Sequence, residues 1–243
     1  MKWCVIIPTY NNAGSIVQVV EAVRHYTADI IVVNDGCTDN TASLLAPMEV
    51  TVVECGRNRG KGYALKVGFR KARACGFDYA LTIDADGQHF PSDIPVFIQA
   101  LHSHPDSLIV GSRNLAEKNM PAANTFANKF SNFWFKLQTG INLPDTQTGY
   151  RLYPLRRMGK LWWLTSRYEA ELEMLVYAAW HGISIVPVVI RVYYPPTSLR
   201  VTHFRPVYDF ARISLLNTVL CFLAVVYGLP SKVIRSLLCL NCF

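Results

Sequence analysis

The fold class predicted by this sequence is α/β: a mostly parallel sheet with helices on both faces. Three observations predict it. Five short runs suited to buried strands recur between residues 3 and 112, separated by stretches with apolar residues at helical spacing. Polar and charged residues gather where those runs end, as at Asp35, Asp84-Ala85-Asp86 and Arg113. Hydrophobic residues make up 51% of the 243 and charged residues only 17%, so the chain holds enough apolar material for one sizeable domain.

Taken in order, "WCVIIP" (3–8) is a strand closed by a proline, and "GSIVQVVEAVRH" (14–25) carries Ile16, Val19, Val20 and Val23 at helical spacing. "DIIVVND" (29–35) is a second strand, "TASLLAPM" (41–48) a short helix and "VTVVEC" (50–55) a third strand. Residues 60–76 form a helix, "YALTID" (79–84) a fourth strand, 93–103 a helix and "SLIVGS" (107–112) a fifth strand. Strands alternating with helices give a parallel sheet. Beyond it lie an aromatic-rich helix (124–140), a polar loop running into a short segment (145–154), a helix (169–182) and a strand-like stretch (183–194).

Open parallel sheets bind ligands outside the carboxyl ends of their strands. That rule brings Pro8 and Tyr10, Asp35, Asp84 and Asp86, and Arg113 onto one rim. Carboxylates at the end of a buried strand are costly unless a positive group meets them. Asp84, Asp86 and the amide oxygen of Gln88 form an all-oxygen set suited to Mg²⁺ or Mn²⁺, which commonly shares its ligand shell with substrate phosphates. The plainer reading has Asp84 capping the turn and Asp86 in water. Lys61 either reaches a phosphate or is solvated at its helix start. A net charge of +7 favours an anionic partner. No zinc-finger or RNA-stacking signature is present, which argues against nucleic acid. The dinucleotide fingerprint is missing after strand one, and "GRNRGKGY" does not satisfy the P-loop pattern.

The segments "VIIPTYNN", "VVNDGCTDNT", "NRGKGYAL", "TIDADGQH", "IVGSRN" and "DTQTGYRLYP" together resemble family 2 glycosyltransferases of the GT-A fold, from about residue 3 to 200. The similarity is greatest to the branch acting on dolichyl or polyprenyl phosphate. The resemblance implies that Pro8 and Tyr10 line the nucleotide pocket, that Asp35 bonds the base, and that Asp84, Asp86 and Gln88 hold a metal and the nucleotide. It implies that Arg113 meets the acceptor phosphate or diphosphate, that Asp145 and Arg151 flank the sugar and acceptor, and that Glu173 is the family's helical glutamate. It names Asp86, Arg113, Asp145 and Glu173 as catalytic. Asn12 stands where relatives often have glutamate. The segment after residue 194 departs from the family pattern, leaving Arg200, His203 or Arg205 to meet an acceptor phosphate. The expected reaction moves a sugar from a nucleotide-diphosphate sugar to a lipid phosphate, with inversion. A hydroxyl acceptor is the alternative and would need Asp145 or Glu173 as base. A sugar-phosphate nucleotidyltransferase would want a glycine-rich loop after strand one, and "PTYNNAGS" is not one.

Nineteen residues without charge lie between Arg212 and Lys232, about 28 Å as a helix at ~1.5 Å per residue. They read as a buried core helix or as a segment that spans or lies on a membrane. The expected division is a catalytic domain over 1–205 and a membrane-associating segment over 206–243, at the cytoplasmic face of a membrane. No signal peptide is expected at the start of the sequence. The seven cysteines read as reduced thiols, including the terminal pair Cys239 and Cys242.

Overall fold

The computed structural model describes residues 1–113, 122–159, 163–194 and 206–240. The strands are β1 (Trp3–Thr9), β2 (Ile30–Asn34), β3 (Thr51–Glu54), β4 (Tyr79–Thr82), β5 (Leu108–Arg113), β6 (Arg151–Pro154) and β7 (Ile185–Ile190). They form one sheet in the order β3-β2-β1-β4-β6-β5-β7. All run parallel except β6, which is antiparallel to both β4 and β5. The polar loop before residue 151 therefore delivers a strand into the middle of the sheet, with Tyr79 opposite Pro154 and Ile109 opposite Leu152.

The expected helices form as α1 (Ile16–Arg24), α2 (Thr41–Leu45), α3 (Lys61–Ala74), α4 (Ile94–Ser103), α5 (Ala122–Thr139) and α7 (Glu169–Trp180), with a short α6 at Leu155–Met158. Alternate residues of β1 feed two cores, as the pleat requires. Val5 and Ile7 pack with Ile16, Val20 and Phe97 on one face. Cys4 and Ile6 pack with Leu65, Phe69 and Trp180 on the other. A central strand buried on both faces is what a parallel sheet with two helical layers demands.

The chain ends in α8 (Pro206–Leu223), a π-helical turn (Ala224–Gly228) and α9 (Leu229–Leu240). Leu216, Leu220 and Ala224 are buried in the second core, whereas Leu215, Phe222 and Val225 are exposed. The segment is therefore docked by one stripe and is not the fully buried core helix that its composition also allowed. Among the described cysteines Cys4 is buried, but Cys75 is exposed at the end of α3 rather than in the core. Cys242 lies outside the described residues, and so does the side chain of Cys239.

Candidate active site

A cleft of about 600 Å³ opens across the carboxyl ends of β1, β2, β4 and β5. Beyond β4 the chain buries Ile83 and then turns, so that Asp84 and Asp86 both line the cleft. The positive group that meets Asp84 is Lys61. Its Nζ lies 2.6 Å from Asp84 Oδ1 and 3.1 Å from Glu171 Oε1, held there because α3 begins at Lys61 and α7 carries Glu171. Gly149 makes room for this trio. A Cβ there would fall 2.4 Å from Lys61 Nζ and 2.9 Å from Asp84 Oδ2.

Burial pushes the Asp84 pKa up, but Lys61 and neighbouring positive groups outweigh it and hold the carboxylate below its ordinary range. Lys61 is depressed by burial and raised more strongly by its two carboxylates, so it remains charged. Asp86 has no cation of its own among the described residues. Burial and the Asp84 charge push its pKa up to about 6, and the Gln88 amide donates to Oδ1 at 3.0 Å. Burial lowers the pKa of His89 to about 4, leaving the ring neutral at pH 7 against Tyr150.

Arg113, at the end of β5, faces the cleft with Asp145 behind it. Arg113 Nε and Nη2 donate to the two oxygens of Asp145 at 2.6 and 3.0 Å, and Asn128 and the Gln147 amide fill the remaining positions. Asp145 is 0% exposed and does not line the cleft. Burial pushes its pKa up, and the Arg113 hydrogen bonds bring it below the ordinary value. Asp145 thus positions Arg113, and no oxygen remains free to take a proton from an acceptor.

Pro8, Tyr10, Asp35 and Gln88 all line the cleft, as does Asn12. Asp35 accepts from the amides of Arg59 and Gly60 at 3.0 and 2.7 Å, which anchors the N-terminus of α3 and so the position of Lys61. Asn12 receives the Thr9 hydroxyl and the Tyr10 amide through its side-chain oxygen, fixing the turn after β1. Besides Asp145, two further expected residues stand away from the cleft. Arg151 is 0% exposed within β6, and its guanidinium donates to the carbonyls of Thr146, Thr148 and Glu171. Glu173 is 1% exposed and accepts from the Leu164 and Thr165 amides and the Thr165 hydroxyl. Both hold the loops around the cleft rather than facing it. Arg200, His203 and Arg205 lie outside the described residues.

Sequence reasoning missed two groups. Glu171, two positions before Glu173, is the α7 glutamate that faces Lys61. Arg167 lines the cleft, and its side chain makes neither ion pair nor hydrogen bond among the described residues. "SRYEAELE" contains one arginine and three glutamates at alternate positions. Only the rotation of α7 relative to α3 selects among them.

The family model for glycosyl transferase family 2 matches residues 4–159. The chain belongs to glycosyl transferase family 2. It is a glycosyltransferase. A Methanococcus voltae protein named UDP-N-acetylglucosamine–dolichyl-phosphate N-acetylglucosaminyltransferase is 33% identical over 217 residues, covering 80% of this chain and 86% of the relative. A polyprenol monophosphomannose synthase from Mycolicibacterium smegmatis is 32% identical over 160 residues, covering 61% and 60%. The fold is also that of glucosyl-3-phosphoglycerate synthase from Mycobacterium tuberculosis, solved with Mn²⁺, UDP and phosphoglyceric acid. That structure matches with a TM-score of 0.67 at 16% identity, over 92% of this chain and 78% of the other. The fold is therefore GT-A-like, with β6 as the antiparallel member of a mixed sheet.

The donor set fits a hard divalent cation. Asp84 and Asp86 supply carboxylate oxygens on one turn, Gln88 lines the cleft beside them, and the half-buried Asp86 carboxylate has no ion-pair partner among the described residues. No group of three or more His, Cys, Asp or Glu suited to a metal occurs among the described residues. This family 2 chain therefore offers a two-carboxylate platform, of the kind completed by the oxygens of a diphosphate.

Proposed function

We propose that this enzyme transfers a sugar from a nucleoside-diphosphate sugar to a polyprenyl- or dolichyl-type lipid phosphate, using a divalent cation at Asp84 and Asp86 and inverting the anomeric centre. The names of its relatives support the acceptor class. The observation that carries the reading is the charge layout of the cleft. Lys61, Arg113 and Arg167 line it beside Asp35, Asp84, Asp86, Glu169 and Glu171, while Asp145 and Glu173, the carboxylates considered as base, have both oxygens engaged elsewhere. An anionic phosphate oxygen is already a nucleophile and needs a cation to place it, not a base to deprotonate it.

In this mechanism the rim after β1 and β2 receives the nucleoside, and Lys61 and Arg167 face the diphosphate. When bound, a divalent cation neutralises charge on the leaving diphosphate. Arg113, kept rigid by Asp145, orients the acceptor phosphate or the departing diphosphate. The acceptor oxygen forms its bond to the anomeric carbon as the bond to the diphosphate breaks, releasing nucleoside diphosphate. Direct displacement inverts that carbon. Residues 1–205 form the catalytic domain in this reading, and 206–243 associate with the membrane that carries the acceptor. A charged, soluble donor assigns the work to the cytoplasmic face.

The test is a panel of UDP- and GDP-sugars incubated with the full chain, Mn²⁺ and vesicles containing polyprenyl phosphate. The expected product is an organic-soluble glycosyl phosphate released by mild acid. Label that enters only water-soluble glycan or free sugar would contradict the proposal.

A further inference from the structure

We propose that the C-terminal helix lies in the plane of the bilayer surface, with its outward face in the headgroup and acyl boundary, and does not cross the membrane. The inference deepens the lipid-acceptor reading and rests on it for the choice of a bilayer as occupant.

The run Tyr208–Arg235 is long and apolar enough to cross a membrane. Its 28 residues amount to about 42 Å of helix, more than the ~30 Å hydrocarbon core requires. It is nevertheless fastened to the domain along its whole length. Near its start, Arg212 pairs with Glu169 at 2.5 Å. In its middle, Asn217 accepts from Gln138 Nε2 at 3.0 Å, and Leu216, Leu220 and Ala224 enter the core. The π-helical turn then brings Gly228 under the Trp180 indole, where a Cβ would stand 2.5 Å from Nε1. Beyond it, Ser231 donates to the Trp180 carbonyl, Lys232 to the Thr139 carbonyl, and the Arg235 side chain covers Gly182. A spanning helix would have to surrender all of these contacts or drag α5 and α7 into hydrocarbon.

The opposite face tells which surface it meets. Tyr208, Leu215, Phe222, Val226, Leu229 and Val233 recur at helical spacing, and each is 52–70% exposed. The four charged residues of the segment, Asp209, Arg212, Lys232 and Arg235, are buried or reach the domain. Continuity with α5 extends the patch: the rings of Phe130 and Phe210 lie 5.6 Å apart, and Phe133 and Leu137 are exposed beside the exposed Lys129 and Lys136. An apolar stripe edged by lysines suits an anionic lipid surface, whereas a second copy would bring the same cations together. The patch also reaches the site, since Ile213 of α8 and Ala127 and Ser131 of α5 line the cleft. A headgroup phosphate at the bilayer surface would then stand at the mouth of the cleft.

Two measurements on the full chain test this. In cytoplasmic-face-out bacterial vesicles, protease should remove a C-terminal epitope tag, because both ends stay on one side. A protected tag means a spanning helix and overturns the proposal. In flotation with phosphatidylcholine–phosphatidylglycerol vesicles, the double variant Phe222→Asp/Val226→Asp should lose bound protein by about tenfold or more. Mn²⁺-dependent UDP or GDP binding should be unchanged, which also reports that the variant folds. Wild-type protein that binds nucleotide but does not float, or that dimerises through this face without binding vesicles, overturns the inference while sparing the donor site. Protein that floats but makes no lipid product points instead to failure of the lipid-acceptor reading.

Discussion

At the scale of single residues, the cleft divides into groups that face substrate and groups that hold them. Asp86→Ala should abolish Mn²⁺-dependent nucleotide binding and transfer while leaving thermal unfolding nearly unchanged, because Asp86 lies on the rim and makes only a local turn contact. Its pKa of about 6 sets a pH window: the proposed cation site needs the charged form, so nucleotide affinity in Mn²⁺ should fall as pH drops through about 6 and level off above it. Arg113→Ala removes a charge-assisted contact and should cost about ten- to a hundredfold in turnover, from ~1.5–3 kcal/mol. Asp145→Asn should approach that loss, since it frees the guanidinium that Asp145 grips through both oxygens. A variant of Asp145 that keeps full activity in steady-state assays would refute the positioning role. By contrast, Arg151→Lys should fail by unfolding: three carbonyls lose a planar donor, costing about 3 kcal/mol, read as a lowered denaturation midpoint.

At the scale of elements, the legible parts were those set by local pattern. The parallel strands and the helices between them follow from periodicity, and the strand-end rule alone places Tyr10, Asp35, Asp84 and Arg113 on the one rim where the cleft lies. β6 was not legible, because four residues ending in proline and starting with a buried arginine carry no strand signature. Its place between β4 and β5 depends on pairing across some seventy residues of chain. The partner of Asp84 was equally hidden. Lys61 is an ordinary helix-start lysine in sequence, and its capture by Asp84 and Glu171 depends on how α3 and α7 pack. Gly149 tests that packing. Gly149→Ala forces Lys61 or Asp84 to move and should depress transfer without unfolding the sheet, measurable as lost turnover with an unchanged circular dichroism spectrum.

At the scale of the whole molecule, one sheet supports both ends of the proposed reaction. Its rim carries cations and carboxylates for the proposed nucleoside diphosphate, and α5 and α8, which continue that rim, carry an exposed apolar face for the proposed lipid surface. The same +7 charge suits both an anionic donor and an anionic surface. The central claim is that the nucleophile is a lipid phosphate. Its most direct test compares polyprenyl phosphate with the polyprenol of equal chain length as acceptors, in identical vesicles, with one donor sugar and Mn²⁺. The account predicts transfer to the phosphate and none detectable to the alcohol. Equal or faster transfer to the alcohol would contradict it.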